Sequence, residues 1–124
     1  LKVGAVVIDC NDFQAMFAFW RDALNYEPGY PPNDDWVILK DPEGVGVNVT
    51  IDTVPEPRVG KNRLHIDLYT DDQQGEVERL LHLGATLHPR VPEEGEDFIV
   101  LADPEGNLFC VIDASDKPTD EGSG

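Results

Sequence analysis

Basic residues are scarce in this chain. Nine Lys and Arg face 25 Asp and Glu among 124 residues, for a net charge of −16. Such a surface repels phosphate backbones and anionic lipid headgroups, which excludes nucleic-acid and membrane-surface binding as first readings. Cysteine is equally sparse: Cys10 and Cys110 make neither a CxxC pair nor a disulfide framework. A reduced, cytoplasmic compartment is the expectation. No apolar run approaches the roughly eighteen residues that span a bilayer. The first apolar stretch, residues 3–8, runs straight into Asp9 and is too short for the apolar core of a secretory signal. What remains is 40% hydrophobic, ordinary for a globular chain with a real core.

The strongest signal is internal. Residues 35–44, DWVILKDPEG, recur at an offset of 62 as residues 97–106, DFIVLADPEG, with six of ten positions identical. Three of the other four exchange one apolar residue for another. Each block reads as a β-strand followed by a tight turn, in which Pro presets the bend and Gly supplies the positive φ that closes it. A further strand follows each turn, over 45–51 and 107–112. The openings align too: AVVIDCND (5–12) with HIDLYTDD (65–72), at an offset of 60. Each is a strand ending in polar residues suited to cap a helix. In the first helix Phe13, Met16, Phe17, Trp20 and Leu24 fall on one stripe. In the second, Val77, Leu80 and Leu81 share a face that ends at Gly84, a natural C′ residue. Short strands are expected at Gly29-Tyr30 and Thr86–His88. The fold class is therefore α+β: two tandem βαβββ modules, at 1–51 and 63–113, joined by a Pro- and Gly-containing linker at 52–62. A polar tail covers 114–124.

FWRDALNY (19–26), LHIDLYTDD (64–72), RLLHLGA (79–85) and DPEGNLFCVI (103–112) resemble motifs of the vicinal oxygen chelate superfamily. That superfamily includes glyoxalase, bleomycin-resistance proteins and extradiol dioxygenases, and the chain looks most like its compact glyoxalase-like branch. The resemblance covers essentially residues 3–113. It implies one domain whose mixed sheet curls into a half-barrel around a central pocket, and by family habit a homodimer. The motifs specify the fold better than the reaction. In metal-dependent members the ligands come from the first and last strand of each module. Those places here are Ala5, Asn48, His65 and Cys110. Alanine offers no donor and asparagine a weak neutral one. Only His65 and Cys110 would hold a metal, which is two ligands short of a usual zinc site. Magnesium or manganese would want an oxygen-rich shell that these positions do not supply. No catalytic metal or other cofactor is expected, a divalent ion on His65 and Cys110 being the lesser reading.

Strand alternation gives a pocket wall independently of the metal. Ile66 and Leu68 are the apolar set for a helix to cover, so His65, Asp67 and Tyr69 face the pocket. By the same parity Val7 and Asp9 join Ala5, Thr50 joins Asn48, and Leu108 and Ile112 join Cys110. Trp36 and Phe98 occupy paired positions whose facing is open at this point. Such a mixed wall suits an organic ligand with a few polar handles. Each residue also has a purely structural reading. His65 pairs with Asp67, Asp9 caps the first helix, and Cys110 is a small buried hydrophobe. The aromatics of the first helix belong to the core, and His82 and His88 to the surface.

Two functions follow from the resemblance. In one, the chain binds a small organic molecule without a catalytic metal, as drug-sequestering bleomycin-resistance-type proteins do. Its acidity would favour cationic ligands at long range. In the other, it is a glyoxalase-type lyase, isomerase or epimerase, with His65 and Asp67 moving a proton next to a carbonyl. That chemistry also wants something to stabilise the enolate, which no metal would provide here.

Overall fold

The computed structural model describes residues 3–29, 33–57, 59–60 and 65–115. The first module runs β1 (Ala5–Cys10), α1 (Phe13–Leu24), β2 (Glu27–Pro28), β3 (Trp36–Lys40) and β4 (Asn48–Thr53). The second repeats it as β5 (Ile66–Thr70), α2 (Gln73–Leu83), β6 (Thr86–Leu87), β7 (Phe98–Ala102) and β8 (Leu108–Asp113). Each module forms its own four-stranded mixed sheet, in the orders β1-β4-β3-β2 and β5-β8-β7-β6. The first and last strands pair in parallel and the other neighbours are antiparallel. The chain divides into two compact units, Leu1–Gly60 and Lys61–Gly124.

Both helices begin on an aspartate. Asp12 accepts a hydrogen bond from the N–H of Ala15 and Asp72 from that of Gly75, both at 3.2 Å. Asp9 has no part in the capping. α1 ends at Asn25 in the left-handed region (φ 58°), and α2 at Gly84 (φ 123°). The buried arc of α1 is Phe13, Met16, Phe19, Trp20 and Ala23. Its centre lies between Met16 and Ala23, so Phe17 and Leu24, expected on the core stripe, sit at its edge. Phe17 is half-buried: it stacks on Phe13 with ring centres 5.6 Å apart and carries the Arg21 guanidinium over its ring. Phe19 goes inside instead, edge-on to Trp20. On α2, Val77 and Leu80 are buried, while Leu81 stays 36% exposed at the rim. The sheet residues facing these helices are Val37, Leu39, Val49 and Ile51 in one unit, and Leu101, Phe109 and Val111 in the other, all buried.

The two DPEG turns set where the strands start. The Asp41 carboxylate accepts from the N–H groups of Glu43, Val45 and Gly46, at 2.9, 3.1 and 2.7 Å. Residues 45 and 46 are thereby held in the turn, and β4 begins at Asn48 rather than Val45. It then continues through Asp52 and Thr53, two positions expected to open the linker. Asp103 likewise takes the N–H groups of Glu105 and Asn107, so β8 begins at Leu108. Gly44 (φ 74°) and Gly106 (φ 89°) supply the positive φ at the turn ends. The first short strand falls on Glu27–Pro28, one or two residues earlier than expected, with Gly29 still donating to Ile38. Tyr30 lies outside the described residues. His82 is exposed, whereas His88 is half-buried, its N–H bonded to Val100.

Candidate functional site

Strand parity assigns the face of each sheet turned away from its helix. In the first unit the register aligns Val7, Thr50 and Ile38 in one row across β1, β4 and β3, and Asp9, Asp52 and Trp36 in the next. Asn48 pairs with Ala5 on the same face. Val7 is 56% and Trp36 37% exposed, whereas Thr50 is buried between its neighbours. This resolves the facing of Trp36: its neighbours Val37 and Leu39 take the helix side. Asp52, which the sequence reading passed over as linker, stands between Asp9 and Trp36. The expected end of the strand at Ile51 hid it.

In the second unit the corresponding rows are Asp67, Cys110 and Val100, then Tyr69, Ile112 and Phe98. Leu108 pairs with Ala102 on the same face. Tyr69 is 69% exposed. His65 precedes β5 by one residue, and its Nε2 lies 3.3 Å from Asp67 Oδ1. Cys110 is half-buried and is not in a disulfide. The donor atoms of His65, Asp67 and Cys110 all lie within 4.8 Å of one another. The resemblance noted in the sequence implies His65 and Cys110 as a pair of places. The parallel register of β5 and β8 adds Asp67, by setting it directly opposite Cys110.

Two residues of this face carried no sequence signal. Arg90 lies in the β6–β7 connection with its guanidinium 5.2 Å from the centre of the Phe98 ring. It forms a two-pronged ion pair with Glu96 at 2.9 and 2.8 Å. The hydrogen bonds to Glu96 chiefly raise the Arg90 pKa above its usual value, against desolvation, with smaller help from the charges of Glu96, Glu93 and Cys110. The same bonds, first among several causes, lower the Glu96 pKa.

The family model for the glyoxalase-like domain matches residues 5–112. The chain belongs to this family. Among solved structures it is similar to a glyoxalase/bleomycin resistance protein/dioxygenase family enzyme from Burkholderia phytofirmans PsJN. That likeness has 20% identity and a TM-score of 0.70, covering 90% of this chain and 97% of that one. It is also similar to the genomically encoded fosfomycin resistance protein FosX from Listeria monocytogenes, solved with Mn(II) and 1S,2S-dihydroxypropylphosphonic acid. There the identity is 19% and the TM-score 0.72, covering 90% of this chain and 89% of that one. A protein from Agrobacterium tumefaciens matches at 12% identity and a TM-score of 0.72, covering 90% and 96%. No curated protein matches the sequence. At these identities the likeness establishes the fold of this glyoxalase-like domain and leaves its chemistry to its own residues.

Those residues do not suit manganese. The places that the resemblance implies for metal ligands hold a methyl group at Ala5, an amide at Asn48, an imidazole at His65 and a thiol at Cys110. Manganese favours carboxylate, carbonyl and water oxygens. Among the described residues, the only grouping of three His, Cys, Asp or Glu side chains spaced to share an ion is His65, Asp67 and Cys110, whose thiol is a soft donor. No helix among the described residues is long and apolar enough to cross a membrane.

Proposed function

We propose that this glyoxalase-like domain binds a small organic molecule, sequestering a drug or natural product, and that recognition does not pass through a manganese-type centre. The observation that carries the reading is the composition of the helix-free faces. Large apolar side chains remain exposed there, namely Val7, Trp36 and Tyr69, beside the polar handles Asp9, His65 and Asp67. Exposed aromatic and aliphatic area with a few placed polar groups is how small-ligand sites are lined. Asn48 and Thr50 join the proposed ligand-contacting residues on the face of the first unit, and Phe98, Leu108 and Cys110 those on the face of the second. The acidic surface favours a ligand bearing positive charge. Thermal-shift measurements with chelator present, against natural products and aldehyde–thiol adducts, test this. At least one compound raises the melting temperature, and Tyr69→Ala or Trp36→Ala removes the shift. Stabilisation that survives both substitutions contradicts the proposed wall.

A second reading rests on the 3.3 Å contact between His65 Nε2 and Asp67 Oδ1. An imidazole oriented by a carboxylate is a general base, and proton abstraction beside a carbonyl is the chemistry it would serve, as in a lyase, isomerase or epimerase. Exchange of a substrate's α-proton with deuterated water, abolished by His65→Gln, distinguishes catalysis from binding. We further propose a cytoplasmic homodimer, for which sedimentation equilibrium gives the mass.

A further inference from the structure

We propose that Cys110 is a nucleophile, activated by His65 and Asp67, that captures an α,β-unsaturated carbonyl compound as a thioether on the helix-free face of the second unit. The fold holds the three residues together. Asp67 and Cys110 are register partners on adjacent parallel strands, and His65 lies two residues before Asp67 on the same side. His65 Nε2 stands 3.3 Å from Asp67 Oδ1, and the donor atoms of the three residues, the Cys110 sulfur included, lie within 4.8 Å of one another. A thiol beside an imidazole that is itself oriented by a carboxylate is how nucleophilic cysteines are set up. Such contacts are looser before a substrate binds, and the exposed His65 and Asp67 side chains have room to close the gap by rotation. Cys110 is half-buried and outside any disulfide, whereas Cys10 is only 2% exposed, so Cys110 is the thiol a solute can reach.

The step balances without an oxidant, a leaving group or a second reactant. The thiol gives its proton to the His65 imidazole, and Asp67 offsets the charge that the ring gains. The sulfur forms a bond to the β-carbon of the acceptor, while the π electrons of the carbon–carbon double bond shift to make an enolate. The imidazolium returns the proton to the α-carbon, which leaves a saturated thioether and a neutral ring. Arg90 selects the carbonyl-bearing class. It is electrostatically coupled to Cys110, and its guanidinium sits over the Phe98 ring. The row of Phe98, Ile112 and Tyr69 adjoins the row of Cys110 on the sheet. Two of the Arg90 N–H groups hold Glu96, and the others remain to donate to an enolate oxygen. The rings of Phe98 and the exposed Tyr69 suit a flat, conjugated acceptor. Capture of this kind deepens the ligand-binding reading and rests on it for the ligand's presence at this face.

The test is incubation of the full chain with benzylideneacetone, an aromatic acceptor of this class, followed by intact-mass measurement and peptide mapping. The protein gains the mass of one whole acceptor molecule, on Cys110 and not on Cys10. The second-order rate constant exceeds that of glutathione at the same pH by about 100-fold, the lower end of what positioned proton transfer contributes. His65→Gln loses that advantage, and imidazole added to the buffer restores part of it, which a merely structural role would not allow. Asp67→Asn slows the reaction of the parent chain and has no further effect in His65→Gln, as expected of a positioning residue that acts through the imidazole. Arg90→Gln slows this addition more than it slows alkylation by iodoacetamide, in which no enolate forms. Circular dichroism of each variant confirms that it is folded. No adduct on Cys110, a rate no greater than that of glutathione, or a His65→Gln variant as fast as the parent overturns the proposal. Equal slowing of both reactions in Arg90→Gln overturns the choice of acceptor. Reversible stabilisation by unreactive compounds with no adduct overturns capture and leaves ligand binding standing, whereas an adduct without such stabilisation does the reverse.

Discussion

Replacing Asp103 by Ala tests how the second turn is held. The Asp103 side chain belongs to a residue only 3% exposed, and its carboxylate accepts from the N–H of Glu105 at 3.0 Å and of Asn107 at 2.9 Å. It also accepts from the Asn107 side-chain amide at 3.2 and 3.0 Å. A hydrogen bond to a charged group contributes about 1.5–3 kcal/mol net, and bonds that share one carboxylate do not add in full. Removing the carboxylate also recovers the cost of burying it, and water reaches the half-buried donors in part, so the net loss is about 2–4 kcal/mol. For a chain of this size that corresponds to a fall in melting temperature of roughly 6–15 °C. Far-UV circular dichroism during urea and thermal unfolding is the assay, because both tryptophans, Trp20 and Trp36, lie in the first unit and report poorly on the second. Asp103→Asn retains one acceptor oxygen and should lose roughly half as much. The equivalent Asp41→Ala loses less, because Asp41 is only half-buried. A loss below about 1 kcal/mol for Asp103→Ala, or a larger loss for Asp41→Ala, refutes the reasoning.

Gly84→Ala is expected to destabilise by about 1–2 kcal/mol through its backbone alone. Its φ is +123°, while an added Cβ would meet nothing closer than Pro104 Cγ at 3.8 Å, and urea unfolding checks the value. Stability should also fall in acid. The Asp41 pKa lies below its ordinary 3.8, chiefly through the hydrogen bond from the Glu43 N–H, and that of Glu96 lies below its ordinary 4.5, chiefly through Arg90. A depressed carboxylate stabilises the fold above its unfolded value and loses that contribution as pH drops through its folded value. The decline therefore sets in near the ordinary values and continues below them. Asp41→Asn and Glu96→Gln flatten this acid limb in a pH series of unfolding curves, and an unchanged slope in both contradicts the assigned partners.

The duplication made most of the fold legible. DWVILKDPEG and DFIVLADPEG fix a strand and turn in each module, and the matched openings end in a polar cluster suited to cap a helix, within which the caps fall on Asp12 and Asp72 rather than on Asp9. What escaped was decided by partners rather than by pattern. The start of β4 depends on which N–H groups Asp41 captures, and the placing of Phe17 on how α1 rolls against its sheet. Parity in β5 put His65, Asp67 and Tyr69 on one side. Asp67 joined Cys110 only through the parallel register, which one sequence does not reveal. Arg90 left no trace, because a connecting loop has no periodicity to read.

The most direct measurement of the central claim is an amide NMR titration of the full chain with a compound that stabilises it. The account predicts that shift changes concentrate on helix-free strand positions, Val7 and Thr50 in the first unit or Asp67, Tyr69 and Cys110 in the second, with the outer faces of α1 and α2 unmoved. Changes confined to those helices, or no organic compound that binds at all, would contradict it.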